Sequence, residues 1–172
     1  MVIIMYYRTR VYIAADWDED KDAVDQLHYW NESGYYNLSF TDAHDLMQAR
    51  DSSLNCSIKR SLKARMDASK TFVLIVGDKT ASLRSGSCAY CPSKNSFGNY
   101  CARGYTLDQR SYIEYECDQA IEAGIKIVVL YNSWQVDRNK CPQVLRARGI
   151  HIPMRSWNHM WNYKEIKMAI QG

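Results

Sequence analysis

No apolar run in this chain approaches the roughly 20 residues that cross a bilayer as a helix. Runs such as Phe72-Val73-Leu74-Ile75-Val76 stop at the length of a strand, so no membrane contact is expected. The opening Met1 to Tyr7 lacks a leading basic region and a small-residue cleavage site, so it does not read as a secretion signal and the expected location is the cytoplasm. An excess of one charge is also missing. The formal net charge is +3 and the basic residues are scattered, which leaves no electrostatic footprint for nucleic acid or an acidic membrane surface. Phosphate-cradling glycines are absent: there is no G-x-G-x-x-G after the first strand and no Walker pattern, which disfavours dinucleotide dehydrogenases and P-loop enzymes. There is no G-x-S-x-G, and His44, His151 and His159 stand without positional companions, so Ser-His-Asp and Cys-His catalysis are set aside.

What remains is an ordinary globular composition. At 172 residues, 47% apolar and 24% charged, residues 1–172 fit one domain with a sizeable core. Six cysteines without a sign of secretion read as reduced thiols rather than a disulfide framework. Cys56 and Cys117 fall on helical apolar faces, where a thiol serves as a small hydrophobe. Cys88-Ala-Tyr-Cys91 with Cys101 is different. It offers three soft ligands for zinc where a closed structural site needs four, so the metal set stays unassigned.

Short β-like runs alternate with helical periodicity. Val11 to Ala15 predicts a strand, and Ala23, Val24, Leu27 and Trp30 mark a helical face that Gly34 ends. Tyr36 to Phe40 alternates like a second strand. Leu54, Ile58, Leu62 and Met66 predict an amphipathic helix with Lys59, Arg60, Lys63 and Arg65 elsewhere on its wheel. Thr71 to Val76 is a continuous apolar strand of the kind a parallel sheet buries on both faces. Residues 78–110 are too long and polar for a strand-to-helix connection and read as an insertion. After the helix from Ser111 come a strand at Lys126 to Leu130, a short helix within Cys141 to Arg148, a short strand at Ile150 to Ile152 and a terminal helix at Lys164 to Ile170. The alternation predicts an α/β, flavodoxin-like three-layer domain, a central parallel sheet flanked by helices. Ligands of such sheets bind beyond the carboxyl ends of the strands.

That edge carries Asp16, Trp17, Asp18, Glu19 and Asp20 after the first strand and Thr41, Asp42, His44 and Asp45 after the second. The acids of Asp18 to Asp20 also suit a helix N-terminus. A phosphoacceptor reading, with Asp16 or Asp18 on magnesium and Asp78 taking phosphate, is a weaker alternative. The fourth strand is followed by Asn132-Ser133 and the last by Pro153, where such a domain needs a Thr or Ser and a Lys. In the segment Ser111 to Ile121, Ser111 and Glu114 form a capping-box pair. Glu114, Asp118 and Glu122 make a polar stripe opposite Ile113, Cys117, Ala120 and Ile121. Glu116 belongs to neither, and the wheel puts it at the apolar edge beside Tyr112, bordering a cleft.

The order of these pieces resembles a TIR-like domain, and more narrowly the compact bacterial TIR-like family that includes the ThsB proteins of Thoeris phage defence. The resemblance is carried by Val11 to Trp17, the helix through Ser57 to Ser69, Thr71 to Thr80, and Tyr112-Ile-Glu-Tyr-Glu116 onward to Val129. It implies that Glu116 is the catalytic glutamate and NAD the substrate, with no further cofactor. It also implies that Asp16, Trp17, Asp18, Thr41, Asp42, Asp45 and Tyr112 line the nucleotide cleft. The implied function is NAD glycohydrolase or cyclase activity making a cyclic ADP-ribose-type signal for antiviral defence. Partners would be self-association or a downstream effector that reads the nucleotide. A TIR-like scaffold without enzymatic activity is the other outcome the family allows. In that case Glu116 would be a helix-edge acid paired with an Arg or Lys.

Overall fold

A computed structural model describes residues 9–43, 54–95, 97, 100–104 and 106–172. Five strands alternate with four α-helices: β1 (Thr9–Ala14), α1 (Lys21–Glu32), β2 (Phe40–Asp42), α2 (Asn55–Asp67), β3 (Thr71–Val76), α3 (Tyr112–Glu122), β4 (Lys126–Tyr131), β5 (Ile150–Pro153) and α4 (Tyr163–Gln171). The strands form one sheet in the order β2-β1-β3-β4-β5, and every pair is parallel. This is the flavodoxin-like order, whose topological switch point lies between β1 and β3. No described helix is long and apolar enough to cross a membrane.

Side-chain alternation along the strands divides the core in two. Val11, Ile13, Val73, Ile75, Val128 and Leu130 face α1 and α4. Tyr12, Ala14, Phe72, Leu74, Val76, Val129 and Tyr131 face α2 and α3. β3 is buried at all six positions, as its unbroken apolar sequence requires. α3 begins with a complete capping box: Ser111 Oγ accepts from the Glu114 amide at 3.1 Å, and Glu114 Oε2 accepts from the Ser111 amide at 2.8 Å.

Two expected elements differ. β2 starts at Phe40 rather than Tyr36, because Asn37 takes a left-handed φ of 54° that breaks extended backbone. Tyr36 instead packs edge-on against Tyr163 and lies beside Trp30 in the α1/α4 layer. Within 141–148 there is only a 3₁₀ turn, Gln143–Leu145, led by Pro142. The His151 ring binds the Leu145 and Arg148 carbonyls from the side, at 3.0 and 2.8 Å, where a longer helix would have used them.

The described residues of the 78–110 segment contribute no strand to the sheet. They hold two 3₁₀ turns and one isolated antiparallel bridge, Lys94 to Cys101. The segment is nevertheless pinned to α2. Lys59 is buried, not on a solvated stripe, and its ammonium donates to the Arg110 carbonyl at 2.7 Å and pairs with Asp108 at 3.3 Å. Asp108 also takes the Arg110 guanidinium through both oxygens at 2.9 Å. Removing this buried cation leaves the Arg110 carbonyl without its donor and the Asp108 carboxylate with the Arg110 guanidinium as its remaining cation. Lys59→Met is therefore expected to cost about 3 kcal/mol in urea unfolding. A loss below about 0.5 kcal/mol would mean that this pin contributes nothing to the fold.

Candidate functional site

α3 presents Glu116 inward, not to an open cleft. Only 3% of the residue is exposed. The sheet and α2 cover the flank of α3 where the wheel alone left an edge, so Tyr115 and Gln119 are buried with it. Across the layer, the Tyr12 hydroxyl donates to Glu116 Oε1 at 2.5 Å. Tyr12 is itself fully buried in β1, its ring 5.9 Å from that of Phe72.

This environment sets the protonation of the pair. Burial pushes the Glu116 carboxyl up to about 8, and the Tyr12 hydrogen bond offsets only part of that rise. The Tyr12 hydroxyl is pushed far above the ordinary phenol value by burial first and then by Glu116. Near neutral pH the carboxyl is therefore mostly neutral, with a proton that can be lost about one pH unit higher. A carboxyl poised in this way is the kind of group catalytic sites use.

The other expected residues are dispersed around it. Asp16 lies two residues beyond β1 and is buried, with Oδ1 accepting the amides of Asp18 and Glu19 at 3.2 and 3.4 Å. It organises its own turn. Asp18 is exposed. Trp17 packs against the α1/α4 core. Thr41, half-buried, borders a cavity of about 190 Å³ with Arg10, Ser61 and Arg65. Asp42 is buried and held by His28 Nε2 of α1 at 3.0 Å. Asp45 and His44 lie outside the described residues. Tyr112 donates to Asn55 Oδ1 at 3.0 Å, and its ring so closely covers Gly86 (φ +94°) that a Cβ there would lie 2.6 Å from it. Cys88 and Cys101 are buried, Cys91 is half-buried, and all three are free thiols. Among the described residues, no group of three or more His, Cys, Asp or Glu is arranged to hold a metal ion.

Two groups escaped the sequence reading. Tyr12 is the first, and its signal was a tyrosine inside an aliphatic strand, since a buried phenol needs a hydrogen-bond partner. Asp20 is the second. Expected as a helix N-terminal acid, it occupies the N-cap position of α1 without capping. Its side chain accepts from Asn132 at 3.0 Å and lies against Gly77, where a Cβ would sit 2.2 Å from both carboxylate oxygens. Burial raises its carboxyl above the usual range; the Asn132 hydrogen bond opposes this, while Asp16, Asp22 and Asp78 add to it. Asp22 is tied off by Asn132 at 2.9 Å and Arg155 at 2.8 Å. An acidic, hydrogen-bonded rim thus lies over the carboxyl ends of β1, β3 and β4.

Comparison with known proteins adds a partial family likeness. Residues 10–85 match the family described as Thoeris protein ThsB, TIR-like domain. The match covers less than half of the 172-residue chain. The match takes in Tyr12 and the acidic turn after β1 and ends before α3. Among solved structures, the chain resembles the Clostridium botulinum CMP N-glycosidase BcmB at 12% identity, with 93% of this chain and 98% of that one covered and a TM-score of 0.50. A 2-deoxyribosyltransferase from Bacillus psychrosaccharolyticus aligns at 12% identity over 94% of this chain and 97% of that one, with a TM-score of 0.49. At 12% identity the likeness to the first of these is one of fold. No curated protein matches in sequence.

The raised carboxyl has a consequence for stability. A folded-state value near 8, against the ordinary 4.5, means that the native protein holds this proton more tightly than the unfolded chain. The stabilisation is complete below the unfolded value and is lost as pH rises through about 8. Glu116→Gln removes that loss. The urea midpoint of the variant relative to wild type is expected to shift in the variant's favour between about pH 5 and pH 9. A difference that does not change with pH would show that Glu116 is not a buried neutral acid.

Proposed function

We propose that this chain breaks the N-glycosidic bond of a nucleotide, with NAD as substrate and Glu116 as the carboxyl at the ribose. The observation that carries the reading is the buried Glu116, fixed by the Tyr12 hydroxyl inside a flavodoxin-like sheet whose β1 segment matches the TIR-like family. Cleavage between nicotinamide and ribose passes through an oxocarbenium-like state. A carboxylate beside the sugar offsets the developing positive charge, and the dry setting that raises its pKa also strengthens that attraction. Nicotinamide leaves as a neutral base from a cationic ring, so the departure requires no general acid. Tyr12 acts as a positioning residue: it holds Oε1 and so orients the second oxygen.

Two consequences follow for behaviour. Because only the carboxylate form stabilises a cation, turnover should climb with pH and level off above about 8. Because Glu116 is 3% exposed, turnover also requires a rearrangement that uncovers it, which suits an enzyme that waits for a trigger or for assembly. The product is a hydrolysed or cyclised ADP-ribose, available as a signal to an effector in antiviral defence. A scaffold without catalysis is the second reading, favoured by Trp157 and Met160, 81% and 66% exposed on the β5–α4 connection.

The test is nicotinamide release from NAD at high protein concentration by wild type, Glu116→Gln and Glu114→Gln. Glu116→Gln should lower the rate about 100-fold or more. Glu114→Gln alters the capping box and should lower stability by about 0.5–2 kcal/mol while leaving the rate near wild type. Equal release by wild type and Glu116→Gln would remove Glu116 from catalysis. Absence of release from wild type in every condition, including infected-cell extract, would leave the scaffold.

A further inference from the structure

Where the 78–110 segment meets α2, two cysteines distant in sequence share one cavity. Asn55 Nδ2 donates to the Ser87 carbonyl at 3.2 Å, and Cys56 and Cys88 are the residues that follow. Cys56 lies in the first turn of α2 and is half-buried; Cys88 opens the 3₁₀ turn Cys88–Tyr90 with its amide bonded to the Asp108 carbonyl at 2.8 Å. Both border a cavity of about 290 Å³ with Lys59, Arg60, Thr106 and Asp108. The Tyr112 hydroxyl, bonded to Asn55, is raised to about 12 by burial and then by Cys91 and Cys56, so Cys91 also lies close to this junction. Two of the other thiols differ in kind. Cys117 and Cys141 are fully buried in the core, and burial raises both thiols, which holds them in the unreactive protonated form.

We propose that Cys56 and Cys88 are an oxidisable pair, a disulfide-forming site through which a peroxide ties the 78–110 segment covalently to α2. The Cys56 thiolate attacks a peroxide oxygen. An S–O bond forms as the O–O bond breaks, and hydroxide leaves as water with the proton released by the thiol. The Cys88 thiolate then attacks the Cys56 sulfur, an S–S bond replaces the S–OH bond, and a second water departs with the Cys88 proton. Two thiols are oxidised and one hydrogen peroxide is reduced to two waters. The tie closes beside Tyr112, one helical turn ahead of Glu116, and fixes the segment lying over the start of α3. It stands independently of what Glu116 does.

Full-length protein, reduced and desalted, would be treated with equimolar hydrogen peroxide, alkylated and digested with trypsin without reduction. Cys56 falls in the peptide 51–59, and Cys88 and Cys91 share the peptide 85–94. The expected product is a cross-link between these two peptides that persists in Cys91→Ser and disappears in Cys56→Ser and Cys88→Ser. A disulfide confined to 85–94 with Cys56 alkylated, full alkylation of every thiol, or a cross-link surviving Cys88→Ser would each overturn the pair. Should a serine variant at 56 or 88 fail to fold by circular dichroism, mapping of wild type and Cys91→Ser still decides.

Discussion

One hydrogen bond spans the chain and organises its centre: the Tyr12 hydroxyl on Glu116 at 2.5 Å, between residues 104 positions apart. It joins β1 to α3 inside the layer that α2 closes. An acid in such a place is costly unless it is neutral or well partnered. Here it is largely neutral at physiological pH and partnered by a phenol. The surrounding apolar contacts of Phe72, Leu74, Met66 and Cys117 exclude water from the pair and give the carboxyl its raised pKa. The same burial that stabilises the fold through apolar contacts therefore also sets the protonation of the pair.

The two faces of the sheet divide the work. The α1/α4 face is sealed by aromatic packing, with Trp30 edge-on to Trp161 and Tyr163, and the Arg155 guanidinium 3.7 Å above Trp161. The α2/α3 face carries the Tyr12–Glu116 pair in its interior and, at its margin, the ion-paired junction of Lys59, Asp108 and Arg110. Between the faces lies the switch point of a parallel sheet, capped by Asp16, Asp20 and Gly77. Asp20 Oδ2 is buried without a hydrogen-bond partner, an unsatisfied acceptor at the edge where sheets of this order bind their ligands.

Sequence reasoning reached the parts of this arrangement that are encoded locally. The apolar run Thr71 to Val76 gave β3 its bounds, and Ser111 with Glu114 gave α3 its start. It misjudged what depends on neighbours. The helical wheel put Glu116 at an edge because it counts only the apolar stripe of α3 and not the sheet and α2 that cover its flank. Lys59 looked solvent-facing for the same reason, since Asp108 lies 49 positions away and no spacing announces the pair. Asn37, whose φ is positive, turned an alternating pattern into a bend. Tyr12 carried a readable signal in its burial among aliphatic residues, but its partner could only come from the fold.

The central claim is that the Glu116 carboxyl faces the ribose of a bound nucleotide, and a crystal structure of Glu116→Gln soaked with NAD tests it most directly. The account predicts the nicotinamide ribose within about 3.5 Å of the residue 116 side chain, with that side chain uncovered and the acidic rim at the sheet edge beside the ligand. NAD bound elsewhere, while residue 116 stays closed on Tyr12, would contradict it.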